Sequence, residues 1–68
     1  MPKPGNLVEV TNPFITDDIG NRWLGVVVGE SNVTITVHFA DDNAKHEYRK
    51  ATINNPESNG YIIMDILS

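Results

Sequence analysis

The clearest pattern along the chain is VTITVHF over residues 33–39, where Val33, Ile35, Val37 and Phe39 alternate with Thr34, Thr36 and His38. A period of two sets one group on each face of an extended strand. Upstream, residues 22–30 read RWLGVVVGE, and Ser31-Asn32 separates the two runs. A two-residue loop there folds them into a hairpin with Val28 opposite Ile35, Val26 opposite Val37 and Leu24 opposite Phe39. The apolar sets then coincide, which predicts Leu24, Val26 and Val28 inside and Trp23 outside, beside Val27, Thr36 and His38. Register decides everything here, because a slip of one residue exchanges the two faces of a strand.

Three further pieces flank this hairpin. Residues 7–11, LVEVT, follow Pro4-Gly5-Asn6 and stop at Asn12-Pro13, so they predict a short strand bounded by turn formers. Residues 14–21, FITDDIGN, have no period and read as a loop. After the polar turn Ala40–Lys45, HEYRKATI over 46–53 predicts a strand that ends in one helical turn before Asn54-Asn55-Pro56. Pairing Ala40 with Lys45 sets His38 opposite Glu47 and aims Tyr48 inward. Residues 60–67, GYIIMDIL, form a last strand that is apolar on nearly every position. No stretch of ten residues shows a capped helical period.

Five short strands without a helix to cover them bury their apolar faces by curling round one another. The fold class predicted is therefore all-β: a five-stranded SH3-like barrel occupying 1–68 as one domain, with a flexible lead-in at 1–5. At most a single 3-10 turn is expected, near 50–56. Gly25 and Gly29 lie inside the second strand, where glycine marks a bend or bulge. GNLVEV at 5–10, WLGVVV at 23–28, TVHF at 36–39 with Asp41-Asp42, and Glu47-Tyr48-Arg49 resemble the cadence of Tudor-like and Mib/Herc2-type SH3-like modules. Residues 60–67 are similar to the final strand of the latter. Leu24-Gly25-Val26 and Tyr48-Arg49-Lys50-Ala51 are also similar to Sm-like barrels. These resemblances imply a small barrel that binds proteins, or in some relatives nucleic acid.

Composition narrows the options. Sixty-eight residues bury only about 60% of their unfolded surface, which leaves no room for a large catalytic cleft. The absence of cysteine excludes disulfides and thiolate zinc sites. Apolar residues make up 40% of the chain and the net charge is −4, a balance that favours folding over disorder. No apolar run reaches the roughly 18 residues of a membrane span, and MPKPGN has no signal-peptide core, so the expected location is cytoplasmic.

Candidate chemistry is sparse. Trp23, the sole tryptophan, and Arg49 form the leading candidate for a partner-binding patch, since both residue types are enriched at interface hot spots. Thr36, His38 and Glu47 extend it on the same predicted face, and Asp17 and Asp18 supply acid from the 12–21 loop. The alternative reading has Trp23 covered by residues 12–21, where it finishes a second small cluster. His38 with Glu47 lacks the third partner an acid–base site needs, and His38, His46 and Glu47 match no zinc spacing. Asp17-Asp18 and Asp41-Asp42-Asn43 lack the alternating ligands of a calcium loop. Asn32-Val33-Thr34 matches a glycosylation acceptor, a site with no meaning for a cytoplasmic chain. Lys45, Arg49 and Lys50 are too few for a phosphate track.

The function expected is a non-enzymatic interaction module or small accessory or inhibitory subunit that docks a protein with a basic surface, using no cofactor and no metal. Nucleic-acid binding by an SH3- or Sm-like domain is the alternative, opposed by the negative charge; a further variant is an acidic, viral-type inhibitor of a nucleic-acid-processing enzyme. The apolar last strand also predicts a homodimer.

Overall fold

The computed structural model describes residues 1–14 and 22–68. Its strands are β1 (Leu7–Thr11), β2 (Arg22–Glu30), β3 (Thr34–Phe39), β4 (Ala44–Arg49) and β5 (Ile63–Ile66). They form one sheet in the order β4-β3-β2-β1-β5, with every neighbouring pair antiparallel. One 3-10 turn, Lys50–Thr52, follows β4. The all-β class and the place of the single turn agree with the sequence reading. The sheet is not closed: β4 and β5 end it, and among the described residues a parallel bridge joins Ile53, just past the 3-10 turn, to Ile62, just before β5. The five strands thus form an open antiparallel sheet folded over one core. Among the described residues no helix is long and apolar enough to cross a membrane. Of the predicted 14–21 loop, only Phe14 falls among the described residues.

The core is a single cluster of Val8, Val10, Val27, Ile35, Val37, Phe39, Ile53, Ile62 and Met64, with Trp23 and Tyr48 packed against it. β3 contributes Ile35, Val37 and Phe39 as its alternation predicts, but Val33, placed on the same face by the sequence, lies in the turn before the strand and is exposed. β2 does not follow its predicted register. Observed partners are Glu30 with Ile35 and Gly29 with Thr36, then Val27 with Val37, Val26 with His38 and Gly25 with Phe39. The hairpin turns at Asn32-Val33 instead of Ser31-Asn32: Ser31 N–H donates to the Thr34 carbonyl at 2.9 Å, and Ser31 Oγ accepts from the N–H groups of Val33 and Thr34 at 3.2 and 3.0 Å. That one-residue displacement moves the register by two. A bulge at Val28, which has no opposite residue, takes back one. The net slip is odd, so β2 presents its other face to the core. Val27 is 1% exposed, whereas Leu24, Val26 and Val28 are 55%, 40% and 46% exposed.

Gly25 permits this inversion. A Cβ there would lie 2.5 Å from Val37 Cγ1 and 2.9 Å from Phe39 Cδ1, so the residue is a point of close approach and not the bend the sequence suggested. The bulge sits next to Gly29, as glycine in a strand predicts.

The β3–β4 hairpin is displaced by two residues, an even slip that leaves the faces unchanged. Phe39 pairs with Ala44, His38 with Lys45, Val37 with His46, Thr36 with Glu47 and Ile35 with Tyr48. Tyr48 therefore faces inward as predicted, but the His38–Glu47 pair is lost. His38 Nε2 instead lies 2.8 Å from Asn43 Oδ1. Asn43 itself adopts φ +52°, the left-handed region that asparagine tolerates, and Asp42 Oδ1 accepts from Ala44 N–H at 3.1 Å.

Residues 1–5, read from the sequence as a flexible lead-in, run beside β2. Lys3 to Asn6 form a turn with Gly5 at φ +95°, and Gly5 N–H donates to the Val27 carbonyl at 2.8 Å. Pro2 is buried. Lys3 and Lys50 both reach the Glu30 carboxylate, with Nζ at 3.3 and 2.7 Å from Oε2.

Candidate functional site: an aromatic pocket with an acidic rim

The exchange of faces on β2 carries Trp23 from the predicted outer surface to the inner one. There it stands across from Val10 of β1, half-buried against the core. Around it lies a cavity of about 460 Å³, lined by Trp23, Phe39, His46 and Tyr48, by Val10, Asn12 and Ile62, and by Asp41 and Asp42. Pockets of roughly 300–1,000 Å³ are of ligand size. The rings come from three strands: Trp23 is the second residue of β2, Phe39 ends the alternation of β3, and His46 and Tyr48 occupy inner positions of β4.

The wall residues touch one another. Phe39 and His46 meet edge to face with centroids 5.3 Å apart. His46 Nε2 lies 3.8 Å from Asp42 Oδ2, an ion pair when the imidazole is protonated. Burial pushes the Tyr48 hydroxyl above its ordinary 10.0, and the negative charge of Asp42 adds to the same direction. Aromatic faces carry the negative end of a quadrupole, and a cation over one gains about 0.5–2 kcal/mol, more as water is excluded. Rings and carboxylates together therefore favour a positively charged group. Among the described residues no set of three or more His, Asp or Glu groups suits a metal ion.

The predicted patch is divided. Trp23 faces inward, whereas Arg49, Thr36, His38 and Glu47 lie on the outer face of the sheet, with Thr36 directly opposite Glu47 and Arg49 opposite Thr34. Trp23 and Arg49 do not form one surface. Asp17 and Asp18 lie outside the described residues. The outer four share their face with the exposed Leu24, Val26 and Val28. Sequence reasoning assigned Phe39 and Tyr48 to the core and Asp41 and Asp42 to a solvated turn. The signal that could have joined them is the even spacing of His46 and Tyr48 from Asp42, read together with the opposite parity for β2.

Searches of protein-family models, curated proteins and solved structures give no match to this chain.

Proposed function

We propose that the protein is a non-enzymatic interaction module, a small accessory subunit on an SH3-like roll, and that its pocket seats a basic side chain of a partner protein. The observation that carries this reading is the co-location of Trp23, Phe39, His46 and Tyr48 with Asp41 and Asp42 around one cavity. The net charge of −4 supports it by steering a basic partner toward the surface. The strand order, with β5 beside β1 and a 3-10 turn leading to it, supports the SH3-like assignment.

The sole tryptophan makes the test direct, because Trp23 fluorescence reports on the pocket. Acetyl-arginine amide is expected to change the emission saturably, and acetyl-glutamate amide is expected to leave it unchanged. Asp42→Asn is expected to weaken binding by about two- to fivefold, the worth of a partly exposed charge pair. Equal responses to the arginine and glutamate probes would overturn the proposal.

A further inference from the structure

The two strands that end the sheet treat their outward backbone groups differently. Along β5 the outward groups of Met64, and those of Ile62 just before the strand, are taken. Asn54 N–H donates to the Ile62 carbonyl at 2.7 Å and Ile62 N–H to the Thr52 carbonyl at 3.2 Å. The Asn54 side chain extends the row by one residue: Nδ2 donates to the Met64 carbonyl at 3.2 Å, and Oδ1 accepts from Met64 N–H at 3.0 Å, so that only Ile66 at the end of the strand is left open among the described residues. A carboxamide does there what a neighbouring strand would do. Asn54 holds φ +56° at this point, a conformation asparagine adopts more readily than most residues.

Along β4 the situation is the reverse. Lys50 N–H donates to the Val33 carbonyl at 2.8 Å, which sets the phase of the β3–β4 ladder. In an antiparallel pair the bonded positions alternate. His46 and Tyr48 therefore turn their backbone groups to β3, and Lys45, Glu47 and Arg49 turn theirs away. The Arg49 carbonyl accepts from Thr52 Oγ1 at 2.8 Å. Among the described residues nothing else is bonded to that outward row. An unpaired edge is a template for another strand, and β4 also supplies His46 and Tyr48 to the pocket wall.

We propose that the β4 edge receives an extended segment of a partner protein, added antiparallel as a sixth strand, with a basic side chain of that segment entering the pocket. This inference rests on the pocket reading above and adds how the partner's backbone is held. Side chains alternate on an added strand, so the residue opposite His46 faces inward with it, toward Asp42 and the rings. Its two neighbours face outward, opposite Glu47 and Lys45. Charge then defines the partner: a basic residue in the pocket, flanked by a basic residue against Glu47 and an acidic one against Lys45. The same alternation, Lys45, Glu47, Arg49, refuses strands of uniform charge or purely apolar outer face.

The acetylated, amidated peptide Thr-Val-Thr-Lys-Arg-Glu-Thr-Val-Thr is a suitable probe. Antiparallel addition turns the N–H groups of its Lys and Glu toward β4 and that of its Arg away. Methylating the nitrogens of Lys and Glu is expected to weaken binding at least about tenfold, for two lost hydrogen bonds. Methylating the Arg nitrogen is expected to leave affinity within about threefold. Binding of the unmodified peptide should also slow hydrogen exchange at the Lys45 and Glu47 amides. Equal affinity of both methylated forms, or loss only on methylating Arg, would overturn the edge proposal. Slowed exchange at Lys45 and Glu47 on raising the protein concentration alone would assign the edge to a second copy and overturn it as well. If acetyl-arginine amide still alters Trp23 emission in any of these cases, the pocket reading survives; if neither probe does, the pocket reading falls and takes the edge with it.

Discussion

Val26 and Val27 are adjacent and chemically identical, yet one is 40% exposed and the other 1%. The inner face of β2 meets Val37 and Phe39 across Gly25 and Val27; the outer face meets His38 across Val26 and leaves Leu24 and Val28 in the open. Composition does not distinguish the two faces, since β2 is apolar on both. What separates them is parity, set by a turn displaced one residue and a bulge at Val28. The contrast also explains the site: the same inversion that exposes three aliphatic side chains brings Trp23 to the pocket.

The largest effect should come from emptying the inner face. Ile35 is wholly buried, and Ile35→Ala is expected to cost about 2–5 kcal/mol, the transfer of the side chain plus the cavity it leaves. Urea unfolding of both proteins measures it; a loss below 1 kcal/mol, small against the usual core range, would mean the inner face is not the core. Gly25→Ala probes the same face by addition. With Val37 Cγ1 only 2.5 Å from the new methyl, overpacking is expected to cost about 1–3 kcal/mol. An unchanged denaturation midpoint would restore the predicted register, in which Gly25 has no such neighbour.

These two positions also show how much was legible. The strand bounds of β1 and β2, the inward row Ile35, Val37 and Phe39, the inward Tyr48 and the 3-10 turn all follow from local pattern and turn chemistry. Parity on β2 does not. Ser31-Asn32 and Asn32-Val33 are both acceptable loops, and a bulge is a compromise between two strands that neither sequence announces alone. An odd slip was therefore indistinguishable from none, while the even slip of β4 did no harm to its faces. The site suffered most, because it assembles β2, β3, β4 and the Asp41-Asp42 turn and so requires every parity to be right.

Asn54→Ala separates the two edges. It removes both carboxamide bonds to Met64 and is expected to cost about 1–3 kcal/mol, at roughly 0.5–1.5 kcal/mol per bond. Faster hydrogen exchange at Met64 should accompany the loss; unaltered exchange there would show that the side chain does not cover the β5 edge. On the outer face the expected change is small. Val26→Thr keeps the branched shape that suits a strand, and its stability should stay within about 0.5 kcal/mol of the parent. A loss comparable to that of Ile35→Ala would show the outer face to be covered.

The smallest effect concerns acid. Glu30 lies past the bulge, opposite the inward Ile35, where parity has changed and the strand meets both Lys50 and Lys3. Hydrogen bonds from Lys50 and then from Lys3 hold its carboxyl below the ordinary 4.5. A lowered folded pKa means that the unfolded chain takes up the proton first as acid is added. The stabilising contribution is therefore complete above pH 4.5 and is lost as pH falls through the lower folded value. Glu30→Gln removes that particular dependence, so its melting temperature should fall less steeply with acid than that of the parent, and the difference should shrink in high salt. Parallel curves for the two proteins below pH 4.5 would mean that the carboxylate is not held by its lysines once the chain is in solution.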